Sequence, residues 1–166
     1  QQTSYGEDIG ILLLDTQVPF IRGDVGNARS YRYPVRYKRV DGLTAEAIFR
    51  HDRSHQQAMI DAAQELEREG VKAITGDCGF MALFQDQVQQ AVQVPVFLSS
   101  LCQLPFMLTI LPTSRSIGIV TANSAALVPE LIRAAGCTDP SRLVIQGLEN
   151  TCDFHAAAIE ETGTLN

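Results

Sequence analysis

The stretch Val71-Lys-Ala-Ile-Thr-Gly-Asp-Cys78-Gly-Phe-Met-Ala-Leu-Phe84 reads as a short buried strand over 71–75, a tight turn over 76–79 and a helix opening near Phe80. Met81, Phe84, Val88, Ala91 and Val92 recur after it at helical spacing. Cys78 therefore sits at the C-terminal end of a strand and just ahead of a helix, the edge of an open α/β sheet where ligands bind. The first turn of a helix carries unpaired N–H groups and partial positive charge, and both favour thiolate over thiol. Gly76 and Gly79 allow a tight bend and close approach to a ligand. Asp77 works against the thiolate unless its carboxylate points elsewhere. Cys78 also fits the plainer reading of a small buried apolar side chain.

Working outward toward the N-terminus, Glu7 to Asp15 is a first strand, with Ile11 to Leu14 apolar on both faces as in a central parallel strand. It ends at Asp15-Thr16 in a loop rich in breakers (Pro19, Gly23, Asp24, Gly26, Asn27), a candidate binding element. Asp15 suits a site role and a turn cap equally. Residues 34–40 alternate as a partly exposed second strand. Thr44 caps a short helix, and Ser54 with Gln57 has the pattern of a capping box for a longer one. The longer helix has the stripe Met59, Ala62, Ala63, Leu66 and Gly70 as its stop.

Toward the C-terminus, 95–100 is a fourth strand that delivers Ser99 and Ser100 to the same sheet edge as Asp15 and Cys78. Residues 101–111 read as an apolar helix interrupted by Pro105, and Pro112 to Arg115 as a boundary. A second unit follows: strand 116–120, loop 121–124, helix 124–135 stopped by Gly136, strand 143–146, and a helix over 152–162. The expected architecture is α/β, with parallel sheets flanked by helices in two similar lobes: residues 1–113 carrying Cys78, and 114–166 as an incomplete second lobe.

With 166 residues and 45% hydrophobic content the chain can bury one full core. Its net charge of −6 and lack of a basic stripe argue against a nucleic-acid surface. The basic–aromatic cluster from Arg29 to Arg39 reads as a solvated strand edge or an anion-facing loop. The four cysteines have no C-x-x-C spacing, so neither a zinc site nor a disulfide framework is expected. His51 and His55 lack the glutamate of H-E-x-x-H and read as a polar helix face. No apolar run has membrane-spanning length and no signal pattern opens the chain, so a cytoplasmic protein is the expectation.

Five stretches together resemble the aspartate/glutamate racemase superfamily, which includes hydantoin racemases. They are Leu14-Asp15-Thr16, Gly23-Asp24-Val25-Gly26-Asn27, Thr75 to Met81, Val94-Pro95-Val96-Phe97 with Ser99-Ser100, and Ile117 to Ala122. The resemblance implies two lobes facing across a cleft, a small carboxylate or amino-acid substrate, no pyridoxal phosphate or metal, and a homodimer. It implies that one thiolate removes an α-proton while a second thiol returns a proton to the opposite face. Cys78 matches the first of these thiols. Asp15 would set that thiol or orient the substrate. Thr16, Gly79, Phe80 and Ser99 would bind substrate from the first lobe, and Thr121 and Asn123 from the second.

The family's second cysteine, usually in a Cys-Thr pair, has no counterpart here. Cys102 falls in an apolar helix, Cys137 follows a helix stop, and Cys152 precedes Asp153-Phe154-His155. A C-terminally truncated racemase is therefore expected. The alternatives are a single-cysteine decarboxylase or isomerase of the same superfamily, or a non-catalytic flavodoxin-like or nucleotide-binding module. The last lacks support from any G-x-G-x-x-G or Walker loop.

Overall fold

The computed structural model describes residues 4–159. Four parallel strands, β1 (Ile9–Leu13), β2 (Val35–Arg39), β3 (Ala73–Gly76) and β4 (Val96–Phe97), form one sheet in the order β2-β1-β3-β4. Central β1 pairs with both neighbours, Ile9 standing opposite Val35 and Ala73. Its Ile11 and Leu12 point to opposite faces and are both fully buried, as the doubly apolar run requires. β4 is shorter than expected because the chain turns away after Phe97: the Leu98 N–H donates to Gln85 Oε1 at 2.9 Å, and the Ser99 hydroxyl accepts the Leu101 N–H at 3.0 Å.

The basic cluster belongs largely to the β2 edge. Arg36 pairs with Glu7 and Glu69, Lys38 with Glu65, and Arg39 with Asp15 and Asp41. Such half-exposed pairs each contribute about 1 kcal/mol or less.

Helix α1 (Ala45–Phe49) is capped by Thr44, whose hydroxyl accepts the Ala47 N–H at 3.2 Å. Helix α2 (Gln56–Arg68) buries Met59, Ala62, Ala63 and Leu66, the stripe its spacing predicts, and Gly70 follows at φ +96°. The expected Ser54–Gln57 capping box does not form. Asp52 takes the Ser54 N–H at 2.9 Å, a 3₁₀ turn occupies 53–55, and the Gln57 amide reaches Asp61 instead. The two histidines share no helix face: His51 ends α1 in the left-handed region at φ +56°, while His55 turns toward Asp52.

The helix expected from Phe80 begins as a 3₁₀ segment, Gly79–Phe84, and becomes α3 only over Gln85–Ala91. Pro105 lies in the first turn of α4 (Leu104–Ile110), where its missing N–H costs nothing, so it starts that helix rather than interrupting it.

A second, two-stranded parallel sheet pairs β5 (Ile117–Thr121) with β6 (Leu143–Gly147) through α5 (Pro129–Ala134). The helix expected from Ser124 starts five residues later because Asn123 accepts the Ala126 N–H in a separate turn and Pro129 suits the first helical position. The segment from Cys152 is α6 (Cys152–Phe154) followed by a π-helical turn, His155–Ile159; the rest of the expected helix lies outside the described residues.

One continuous apolar cluster runs from Leu12 and Leu43 through Phe80 and Phe84 to Leu131 and Cys137, joining the two sheets. Polar ties reinforce it. His51 Nε2 lies 2.7 Å from the Ala126 carbonyl, and Arg53 pairs with Glu130 at 2.8 Å. The Arg142 guanidinium donates to four carbonyls, those of Arg115, Leu108, Leu111 and Pro112, clasping the start of β6 to the end of α4 and the connection after it.

Candidate active site

β3 ends at Gly76, where the backbone passes too close to its neighbours for any side chain: a Cβ there would lie 2.6 Å from the Leu98 carbonyl oxygen and from Met81 Sδ. Gly79 has no such constraint, since its Cβ would meet only Ser99 Oγ at an ordinary 3.7 Å. Between them Asp77 and Cys78, the latter extended at φ −121° and ψ 128°, leave the sheet edge and open onto a cleft of about 300 Å³. Leu14, Thr16 and the loop residues Val18, Phe20 and Asp24 form one wall. Gly79, Phe80 and Ser100 continue it at the sheet edge. Ile119 to Ala122 at the end of β5, with Leu127 and Phe154, close the other side.

Cys78 is half-buried and keeps an edge on this cleft. Burial, and secondly the Asp77 carboxylate, push its thiol up to about 12; the Phe80 and Met81 amides oppose this without prevailing. The helix-terminus expectation of a thiolate-favouring site is thus reversed. The segment that follows is a single 3₁₀ stretch, and the anion beside the sulfur outweighs its few aligned amides. Asp77 is itself perturbed. Its carboxylate accepts the Leu14 N–H at 3.1 and 3.2 Å, yet burial raises its pKa to about 7, with the negative charge of Asp24 adding to the shift.

The residues expected at the site divide into two groups. Cys78, Thr16, Gly79, Phe80 and Thr121 line the cleft together. Asp15 does not: its carboxylate accepts the Gly42 N–H at 2.9 Å and lies 3.4 Å from Arg39, so it serves the turn after β2. Ser99 is 4% exposed and spent on the Leu101 N–H, and its neighbour Ser100 stands at the cleft instead. Asn123 faces a separate shallow depression beside Phe49 and Arg50, with its side-chain oxygen on the Ala126 N–H.

Asp24 and Phe20 were not expected as site residues, although the breaker-rich loop that carries them was marked as a binding element. No Lys, Arg or His lines the cleft among the described residues, whereas Asp24 and Asp77 both do. Cys78 is the cysteine that lines it: Cys137 is buried, Cys102 contacts Gln85, and Cys152 is exposed outside the lining. No three His, Cys, Asp or Glu side chains among the described residues converge as a metal site. No helix among them is long and apolar enough to cross a membrane.

No protein-family model matches the chain. It is 39% identical over 156 residues to dimethylsulfoniopropionate lyase 6 of Emiliania huxleyi, an alignment covering 90% of this chain and 41% of that protein. It is 36% identical over 160 residues to a dimethylsulfoniopropionate lyase of Durusdinium sp. clade D, covering 92% of this chain and 53% of that protein. The chain thus spans about half or less of the length of these relatives. Among solved structures, a glycine-to-cysteine mutant of arylmalonate decarboxylase superposes with a TM-score of 0.52 at 17% identity, over 86% of this chain and 63% of that one. At that identity the likeness is one of fold, and the fold is α/β, parallel sheets flanked by helices, as the strand and helix spacing predicts.

Proposed function

We propose that the protein is an enzyme that removes a proton from the carbon beside a carboxylate, with Cys78 as the base, and that the reaction is elimination of a sulfide from a β-sulfonium carboxylate such as dimethylsulfoniopropionate. The observation that carries this reading is the composition of the cleft: a thiol at the sheet edge, two carboxylates beside it, and no basic side chain among the described lining residues. A dicarboxylate substrate such as aspartate, glutamate or a malonate would meet like charge there. A substrate with a cationic head would not, and the names of the curated relatives supply one.

In this reaction the Cys78 thiolate takes the α-proton and becomes the thiol. The C–H electron pair becomes the new carbon–carbon double bond. The bond from the β-carbon to sulfur breaks with its pair retained by sulfur, so the sulfonium leaves as neutral dimethyl sulfide and acrylate remains. The α-proton is very weakly acidic, so negative charge developing toward the carboxylate has to be met by donors; Thr16, Thr121 and Gly79, which line the cleft, carry groups that can supply them. The raised Cys78 thiol fits a substrate-assisted step. A cation entering beside Asp77 offsets that carboxylate's charge, the second cause of the raised thiol after burial, and so eases formation of the base when the substrate is bound.

Racemisation stays as the second reading, since the same first proton transfer would begin it. It requires another acid on the opposite face, whereas elimination requires one base only, and the relatives' names favour a lyase. The test is release of dimethyl sulfide into headspace from dimethylsulfoniopropionate by the intact protein. Wild type releases it and Cys78→Ser does not. Release at an undiminished rate by Cys78→Ser, or deuterium exchange at the α-carbon with inversion and no sulfide, would overturn the proposal.

A further inference from the structure

The loop between β1 and β2 is held by its own hydrogen bonds in a way that presents two side chains to the cleft. The Tyr31 and Tyr37 hydroxyls both donate to one acceptor, the Val25 carbonyl, each at 3.0 Å. The Asn27 amide donates to the Phe20 carbonyl at 2.8 Å, and the Ser30 hydroxyl to the Asp24 carbonyl at 2.6 Å. The Phe20 ring lies on Gly26 so closely that a Cβ there would sit 2.7 Å from ring carbons. Asp24 is turned by the Gly26 N–H, which it accepts at 2.8 Å through Oδ1. A loop bound this tightly to itself offers a preformed surface, so little ordering cost falls on a ligand.

The surface it offers is an aromatic ring and a carboxylate from one loop, Phe20 and Asp24, both on the lining of the cleft that also holds Cys78. Aromatic faces and a carboxylate together suit a soft, weakly hydrated cation, which the ring quadrupole attracts and which loses little on leaving water. A carboxylate ligand group finds no partner there. Phe80 and Phe154, also on the cleft, enlarge the aromatic lining.

We infer that Phe20 and Asp24 form the subsite that reads the onium head of the substrate, and that the loop over 16–33 is the specificity element of the enzyme. This rests on the elimination reading for the identity of the natural cation. The subsite selects a trialkyl-onium group carried two carbons from a carboxylate, and places the onium on the loop side of the cleft with the α-carbon toward Cys78. Asp24 is a specificity residue here and takes no part in the proton transfer.

The test is equilibrium binding with two probes of one shape, 3-(trimethylammonio)propanoate and 4,4-dimethylpentanoate, which differ by a quaternary nitrogen in place of a quaternary carbon. The intact protein binds the ammonium probe at least about tenfold more tightly. Asp24→Asn, which keeps the acceptor for Gly26, brings that ratio below about threefold, and Phe20→Leu weakens the ammonium probe while sparing the neutral one. Equal affinity of wild type for the two probes overturns the inference without reference to any variant. So does a folded Asp24→Asn protein, by circular dichroism, that keeps the full ratio. The outcomes separate from those of the proposed reaction: selective binding of the ammonium probe without sulfide release sinks the elimination and leaves the subsite, and sulfide release without selectivity does the reverse.

Discussion

Replacing Asp77 by Asn tests the electrostatics of the site directly. The Asn oxygen can still accept the Leu14 N–H that both carboxylate oxygens now share, so the turn is kept while the charge is removed. For charges on these adjacent residues taken as about 7 Å apart, at an effective dielectric near 20, the repulsion is about 2.4 kcal/mol, or between one and two pKa units. Burial, the larger cause of the raised Cys78 thiol, is untouched. Because Asp77 itself titrates at about 7, the two groups are coupled and the effect depends on pH. With a coupling of about 1.5 units, alkylation of Cys78 by iodoacetamide is faster in Asp77→Asn by about eightfold at pH 8 and about 20-fold at pH 9, and nearly equal at pH 6. Peptide mass mapping separates Cys78 from Cys102, Cys137 and Cys152. A rate ratio that does not change from pH 6 to pH 9, or a variant that reacts more slowly, would refute the coupling.

Three further outcomes are expected. Asp77 binds its proton more tightly folded than unfolded, so its contribution to stability is fully present below about 4 and is lost as pH rises through about 7. Urea denaturation of wild type should weaken across that window by up to about 4 kcal/mol, and Asp77→Asn should flatten the slope. Gly76→Ala drives a Cβ to 2.6 Å from the rigid Leu98 carbonyl, so it should cost about 2–3 kcal/mol in the same assay and displace Cys78 enough to depress turnover beyond the loss of folded protein. Arg142→Ala leaves the carbonyls of Leu108, Leu111, Pro112 and Arg115 without this donor and should cost about 1–2 kcal/mol. Arg142→Lys should recover less than half of that, because an ammonium lacks the planar fork; full recovery would show that charge alone matters.

The parts of the fold legible in the sequence are those set by local apolar period. The doubly apolar run from Ile11 to Leu14 marked a central strand, the Met59 to Leu66 stripe marked a helix against the sheet, and the strand-to-turn reading put Cys78 at the sheet edge, where a cleft opens. What escaped were side-chain destinations that depend on partners distant in the chain. Asp15 turns to Gly42 because β2 is the strand beside β1, a fact of strand order and not of local pattern. Ser54 lost its cap to Asp52, two residues earlier with a competing oxygen. The sign of the Cys78 perturbation was a contest between aligned amides and a neighbouring carboxylate. Both were visible in the sequence, but only the burial of the pair decided it. Asp24 was visible as a member of a candidate binding loop but not as a site residue, since its place on the cleft depends on how that loop folds.

The Arg142 clasp has a consequence for how the cleft is dimensioned. One planar cation joins the strand that begins β6 to the peptide run leaving α4, while the wall of the cleft furnished by Ile119 to Ala122 belongs to the strand paired with β6. The spacing between the two walls is therefore set partly from behind, by a residue outside the lining of the cleft. Breeding a variant with a wider or narrower mouth would start there, at the back of the molecule, with the chemistry of the front left intact.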